Sequence, residues 1–336
     1  MHPSELWSSD EPRARLARAA LTPLSWLYGG GWQTYLALYR LGFKKASSPH
    51  SPVVVVGNLV VGGSGKSPTT IHLANVLRLM GHEVVIGCSG YGAAHAEAAT
   101  LAPAGALDPS DWGDEPAMMR WLLPDVPLVV GRRRVLAAEL VHEAHPDAVL
   151  LMDDGFQHLP LRKDVSLVVE DPAPKNSACL PAGPYREPRR NMKRADAVIW
   201  SGPMSADPAA TPSRQFKLVR DPLRFVTPDQ EPVELQRGTA LCALGQPQRF
   251  LDEVWGRIEL VAPVVLSDHD PLTEGSLFGR LPQELPVVVT AKDWVKLRER
   301  SDCAQREFVI AMQDVRIEPQ DDFRSWLAAK LNGPKK

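Results

Sequence analysis

The sequence predicts an α/β fold with a mostly parallel sheet, and three observations carry that prediction. Residues 53–56 read VVVV, an unbroken β-branched run of the kind that forms a strand covered on both faces. A glycine-rich loop, GNLVVGGSGKSP over 57–68, follows at once. Then TTIHLANVLRLMG places apolar residues at helical spacing and stops at Gly81, and EVVIGCSG reads as a second buried strand. Strand, glycine loop, helix and strand in that order make a βαβ unit.

Upstream of this unit, AALTPLSWLYGGGWQTYLALY carries no charge between Arg18 and Arg40 and is long enough to cross a bilayer. Pro23, Gly29, Gly30, Gly31, Gln33 and Thr34 nevertheless make it a poor spanning helix. Trp26, Trp32, Tyr28, Tyr35 and Tyr39 are amphipathic aromatics of the kind that settle at headgroup level. Arg13, Arg15 and Arg18 precede the stretch, Arg40, Lys44 and Lys45 follow it, and both basic ends suit anionic headgroups. Residues 1–45 are therefore expected to be a membrane-associated segment, a helix lying in the interface. The competing reading is a helical hairpin packed on the protein's own core.

Downstream, AVLLMDDG (148–155), VSLVVED (165–171) and ADAVIW (195–200) read as further buried strands. The loop PAPKNSACLPAGPYREPRR between the last two is of a length that is usually functional or disordered. SGPMSADPAATPSRQ (201–215) reads as a linker, so 46–215 is expected to form one domain. Residues 216–336 are expected to form a smaller C-terminal α/β lobe, with strands in TALCALG, LVAPVVLSDHD and PVVVTAKD. The terminal NGPKK is expected to be disordered.

A chain of 336 residues that is 44% hydrophobic can bury cores for two modest domains. A net charge of -2 and no long basic run argue against a nucleic-acid partner. Cys88, Cys179, Cys242 and Cys303 are far apart and form no CxxC pair. Buried or idle thiols in a reducing compartment are expected, rather than a zinc site or a disulfide framework.

The glycine loop is the strongest chemical signal. Gly65, Lys66 and Ser67 match the end of the G-x-x-x-x-G-K-[ST] phosphate loop, while Val60 stands at its first glycine position. Gly62 and Gly63 supply the permissive backbone instead. Residues Val60, Val61, Gly62, Gly63, Ser64, Gly65, Lys66 and Ser67 are thus the candidate ATP-binding set. Backbone N–H groups nest around phosphate oxygens, the following helix aims its positive end at them, Lys66 bridges the phosphates and Ser67 offers its hydroxyl to Mg²⁺. Pro68 falls in the first helical turn, where its missing N–H costs nothing. With the strand before it and the helix after it, the loop predicts a P-loop NTPase-type domain. VLLMDD then delivers Asp153 and Asp154 at a strand end, in the manner of a Walker B element, one of them to hold or orient the metal. Asp114 and Glu115 in GDEP, Asp268, His269 and Asp270 in SDHD, and Arg186 in YREP carry further chemistry-bearing groups, each also readable as a solvated loop residue.

GNLVVGGSGKSP, GDEP, DDGFQH (153–158), LPAGPYREP (180–188), GQPQRF (245–250) and TAKDWVKL (290–297) occur in one order. Together they resemble the tetraacyldisaccharide 4'-kinase family of the lipid A pathway, from the N-terminal stretch to about residue 300. The resemblance implies a P-loop domain with a smaller C-terminal lobe and an active site in the cleft between them. It implies transfer of phosphate from ATP, with Mg²⁺, to the 4'-hydroxyl of an acylated disaccharide 1-phosphate, giving lipid IVA. It also implies work at the cytoplasmic face of the bacterial inner membrane, by a peripheral or monotopic protein whose partners are the lipid disaccharide and the membrane surface. No obligate protein partner is evident.

Matching motif by motif, Asp114 takes the family's catalytic carboxylate position and His269 that of its dyad partner, beside Lys66. Ser67, Glu115, Asp153 and Asp154 fall at positions tied to the metal. Arg134, Gln157, His158, Arg186 and Glu187 match further active-site positions. The chain departs from the family pattern at CSGYG, where Cys88 and Ser89 replace a serine–arginine pair, at Tyr185, where leucine is usual, and at Asp270, where a second histidine is common. Because Asp114 and His269 come from different lobes, closure of the cleft around both substrates is expected to assemble the dyad. A membrane-associated regulatory P-loop ATPase and a nucleotide-bound scaffold are the competing readings. The regulatory ATPase would not need GDEP or LPAGPYREP.

Overall fold

The computed structural model describes residues 3–63, 65–90, 93–204, 211–245 and 247–333. Ser64 of the glycine loop, Tyr91 and Gly92 of CSGYG, part of the expected linker (205–210), Gln246 of GQPQRF and the expected disordered end (334–336) lie outside the described residues.

The first sheet has nine strands. In chain order they are β1 (Val53–Gly57), β2 (Val84–Cys88), β3 (Thr100–Leu101), β4 (Leu128–Val130), β5 (Val149–Asp153), β6 (Val165–Glu170), β7 (Ala197–Trp200), β8 (Gln215–Arg220) and, much later, β15 (Val315–Glu318). Their spatial order is β15-β8-β7-β6-β1-β5-β2-β4-β3. All neighbours pair in parallel except the two edges, where β3 and β15 run antiparallel. β1 is the centre and a switch point, with β5 on one side and β6 on the other, and such points open a ligand crevice at the carboxyl ends of the strands. Each buried strand presents alternate residues to two cores. Val54 and Val56 face α3 (Lys66–Leu79), α5 (Asp114–Leu122) and α9 (Gln320–Leu331). Val53 and Val55 face α6 (Arg134–Ala144), Phe156 and Tyr185.

The second sheet has six strands: β9 (Arg224–Val226), β10 (Arg237–Cys242), β11 (Glu259–Leu260), β12 (Val264–Val265), β13 (Val287–Thr290) and β14 (Phe308–Met312). It carries α7 (Pro247–Trp255) and α8 (Ala291–Leu297) and buries its own apolar clusters. The expected boundary at 215/216, with everything beyond it in the small lobe, is corrected by this topology. Gln215–Arg220 joins the first sheet beside β7, and Val315–Glu318 returns to pair with it. α9 follows, and Phe323 stacks edge-on to Phe216 at 5.0 Å. The small lobe is thus an insertion between two strands of the large one.

At the N-terminus, α1 (Pro3–Ser8) leads into one helix, α2 (Pro12–Arg40), rather than a hairpin. It continues through Pro23, which lies on an exposed position. Ala14, Ser25, Gly29 and Leu36 recur on one face and are buried. That face docks on the LPAGPYREP loop: Ser25 Oγ accepts from Ala182 N–H at 2.9 Å, Tyr28 donates to Arg186 O at 2.8 Å and Gln33 to Asn191 Oδ1 at 2.9 Å. The opposite face leaves Leu16, Leu24, Trp26 and Leu27 exposed. Among the described residues no helix is long and apolar enough to cross a membrane. All four cysteines are buried and free, as expected.

Candidate active site

The glycine loop leaves the carboxyl end of β1, and β5 beside it ends on Asp153, paired in register with Val56. Gly62 (φ 107°) and Gly65 (φ 90°) take backbone conformations that residues with a Cβ rarely adopt. Gly65 caps the 14-residue α3 with no side-chain hydrogen bond, so its first N–H groups remain for a ligand, as phosphate binding requires. The loop is braced from behind: Val61 N–H donates to Pro184 O at 2.9 Å and Val60 bridges Tyr185. Gly57 approaches Phe156 so closely that a Cβ there would meet Phe156 Cβ at 2.5 Å.

The two aspartates that look alike in the sequence have different surroundings. Asp153 is almost wholly buried and accepts from Ser67 Oγ and from Thr70 Oγ1, both at 3.0 Å. Burial pushes its carboxyl up to about 7, Glu115 adds to this, and Lys66 pulls the other way. Asp154, with φ 54°, is turned toward the cations. Arg186 Nη1 donates to both its oxygens at 2.9 and 2.7 Å, and Lys66 Nζ lies 3.8 Å away. Burial alone would raise the Asp154 carboxyl, but Lys66 and Arg186 outweigh it and hold it below the usual range. Arg134 is buried beneath, donating to Asp153 O at 3.1 Å and Gly131 O at 3.3 Å.

These donors suit a magnesium ion. Among the described residues no cluster of three His, Cys, Asp or Glu side chains would hold a metal alone. A site built on one buried carboxylate, a serine hydroxyl and phosphate oxygens is what Mg²⁺ accepts. Asp153 and Ser67 are already side by side, with Glu115 within electrostatic reach. Asp154 is the weaker ligand, since both its oxygens are engaged by Arg186.

On the other side of the cleft, α5 starts at Asp114, and His269 Nδ1 lies 3.3 Å from Asp114 Oδ2. Sequence reasoning missed the group that holds this pair. Lys296 on α8 has a side chain only 4% exposed, and its Nζ lies 3.1 Å from Asp114 Oδ2. It also donates to Asp270 O at 2.9 Å and sits 4.0 Å from the buried Asp293. Lys292, one turn earlier, approaches His269 at 3.3 Å and Asp268 at 3.7 Å. The signal was present in TAKDWVKL: two lysines four apart share one helix face. α5 packs on α8 across the lobes, and Arg298 donates to Leu107 O at 2.8 Å. In this structure the packed lobes hold Asp114 and His269 together.

The remaining predicted residues form a supporting layer. Gln157 donates to Asn58 O at 2.7 Å and Glu187 Oε1 at 3.0 Å. Glu187 is fully buried and held by Arg194 at 2.8 and 2.7 Å and by Asn191 at 2.9 Å, so it orients Gln157 instead of reaching the cleft. Burial, with Arg134 and Lys163 nearby, pushes His158 down to about 4. It is a neutral imidazole at physiological pH.

The family model for Tetraacyldisaccharide-1-P 4'-kinase, LpxK, matches residues 17–332. The tetraacyldisaccharide 4'-kinase of Alkalilimnicola ehrlichii is 39% identical over 283 residues, 82% of this chain and 83% of that protein. That of Shewanella sediminis is 35% identical over 290 residues, 85% of this chain and 84% of the relative. Among solved structures, the "apo" form of LpxK from Aquifex aeolicus in complex with ATP superposes with a TM-score of 0.80 at 26% identity, covering 94% of this chain and 99% of that one.

Proposed function

This chain belongs to the tetraacyldisaccharide-1-P 4'-kinase family, and on that premise we propose how its side chains divide the work. It transfers the γ-phosphate of ATP to the 4'-hydroxyl of tetraacyldisaccharide 1-phosphate, the step of lipid A biosynthesis that forms lipid IVA. The glycine loop and the open start of α3 hold the ATP phosphates. Lys66 offers positive charge to the transferring phosphoryl group, where charge develops in the transition state. Ser67 and Asp153 hold Mg²⁺, with Glu115 near. When bound, this ion neutralises the phosphate oxygens. Asp154 keeps Lys66 and Arg186 aimed into the cleft.

The sugar hydroxyl attacks the γ-phosphorus, an O–P bond forms, and the bond to the β-phosphate oxygen breaks to release ADP. Asp114 accepts the hydroxyl proton and His269 shares it. Lys296 fixes the Asp114 carboxylate between the lobes. The single observation that carries this reading is the Asp114–His269 pair standing at the head of α5, one residue from Glu115, whose charge acts on Asp153 at the glycine loop. The exposed apolar face of α2, with arginines at both ends, supports attachment at the membrane surface where the acylated substrate resides. That surface is the cytoplasmic face of the inner membrane.

The deciding experiment follows phosphate transfer by purified protein with and without the lipid disaccharide. ATP turnover is expected only with the acceptor. Equal hydrolysis without it identifies a regulatory ATPase instead.

A further inference from the structure

A second cavity lies at the other end of the large sheet. It measures about 350 Å³ and is lined by Tyr39, Arg40, Arg162, Lys163, Arg194 and Asp196, among others. Ser166 and Asp196 border it at the amino-terminal ends of β6 and β7, whereas the glycine loop and Asp153 stand at carboxyl ends of neighbouring strands. The cavity therefore faces away from the phosphoryl-transfer chemistry.

Its charge is unbalanced. Asp196 is committed, accepting from Ser166 N–H and Oγ at 2.9 Å and from Lys330 at 2.8 Å. Arg194 is committed to Glu187. Among the described residues, Arg40, Arg162 and Lys163 have no carboxylate within ion-pair distance. Lys163 is half-buried and donates only to Phe156 O, at 2.9 Å. Burial, with Arg194 beside it, pushes its ammonium down to about 7, and Glu187 pulls the other way. Lys44 and Lys45 extend the basic surface on the sequence side of Arg40. Directly beyond Arg40, which lines the hollow, Leu41 and Phe43 are 70% and 77% exposed, so two exposed apolar side chains follow it in the chain.

We propose that this cavity binds the phosphate of an anionic membrane phospholipid, with the acyl chains running past Leu41 and Phe43 at the end of α2. The inference rests on the reading of α2 as an interfacial helix and adds to it a defined headgroup site. A basic hollow whose Arg40 is followed by exposed apolar side chains matches a phospholipid better than a free anion, which has no use for them. Guanidinium groups recognise phosphate oxygens in a bidentate way. Held there, a bulk lipid would fix the tilt of α2, and through Tyr28 and Gln33 the position of the loop that carries Arg186.

The test uses the full-length protein and sedimentation with vesicles of phosphatidylcholine alone or of phosphatidylcholine with phosphatidylglycerol. The wild type is expected to bind both and to prefer the anionic vesicles by about tenfold or more. Arg40→Gln with Arg162→Gln should remove that preference and leave binding to neutral vesicles unchanged. Lys163→Met should remove most of it. Arg13→Gln with Arg15→Gln, the same charge taken from the far end of α2, should lower it by about threefold at most. Equal losses from both arginine pairs mean diffuse attraction and overturn the site. A wild type that binds neutral and anionic vesicles alike overturns the site and leaves the interfacial helix standing. Binding to neither vesicle overturns both. Inorganic phosphate that releases the protein from anionic vesicles better than chloride of equal ionic strength shows a free-anion site, against the proposal. In neutral detergent micelles the Arg40 and Arg162 variant should keep the wild-type KM for the lipid disaccharide. A raised KM there gives the cavity to the substrate's own phosphate and again overturns it.

Discussion

The two walls of the catalytic cleft are built on different principles. On the glycine-loop wall, Lys66, Ser67 and Thr70 come from the start of α3 and Asp153 and Asp154 from the end of β5, and their partners lie within that group or on the loop packed against it. On the dyad wall, Asp114 belongs to the large lobe, His269 and Lys296 to the inserted one, and the pair exists only because α5 packs on α8. Exposure differs too: Asp153 is buried under its partners, while the His269 side chain is 59% exposed. The first wall is preorganised to hold charge. The second leaves its histidine open to solvent.

This contrast can be broken experimentally. The largest effect is expected for Lys66→Ala, which removes a fixed positive charge from the transferring phosphate and should lower kcat by at least about a thousandfold. Circular dichroism should show an intact fold, and near-normal turnover in such a folded variant would remove Lys66 from the mechanism. Next, Asp114→Ala should lose about a hundredfold or more in kcat with ATP affinity unchanged. His269→Ala should lose a comparable amount and the double variant little more, because the two act as a unit. Fully multiplicative losses reject the dyad, and lost ATP binding in Asp114→Ala moves that residue to the other wall.

Lys296→Met sharpens the contrast, since it leaves both dyad residues in place and removes only what positions them. A fall in kcat of about tenfold, ~1.4 kcal/mol, is expected, with nucleotide binding intact and partial recovery in Lys296→Arg. A variant as fast as the wild type shows that packing alone sets the dyad. The smallest effect on rate belongs to Gly57→Ala on the glycine-loop wall. The new methyl group collides with Phe156, so thermal denaturation should reveal a loss of about 1–3 kcal/mol. The kcat of the folded protein should stay within about twofold of wild type. An unchanged melting temperature would mean that Phe156 has room to give.

The difference between the walls also governs how much of each was legible. Lys66, Ser67 and the Asp153–Asp154 pair are short-range signals: a β-branched strand, glycines and a cation at fixed offsets. Asp114 and His269 were found through resemblance, as GDEP and SDHD have no local signature of their own. Lys296 was overlooked although its motif was quoted, because a lysine on a helix face reads as solvated until another lobe covers it. Glu187 was matched to the site through resemblance, yet it is fully buried and held by Arg194 and Asn191 under the site.

By itself the sequence determined the parallel sheet, the glycine loop at its centre, the carboxylates at its edge and the amphipathic first helix. Each of these follows from side-chain pattern and backbone freedom within about a dozen residues. Tertiary structure alone decided that 215–220 and 315–331 complete the large lobe, that Asp153 meets Ser67 while Asp154 meets Lys66 and Arg186, and that Lys296 meets Asp114. Those outcomes depend on which surfaces bury one another. Burial and charge pairing between residues a hundred or more positions apart leave no periodic trace along the chain.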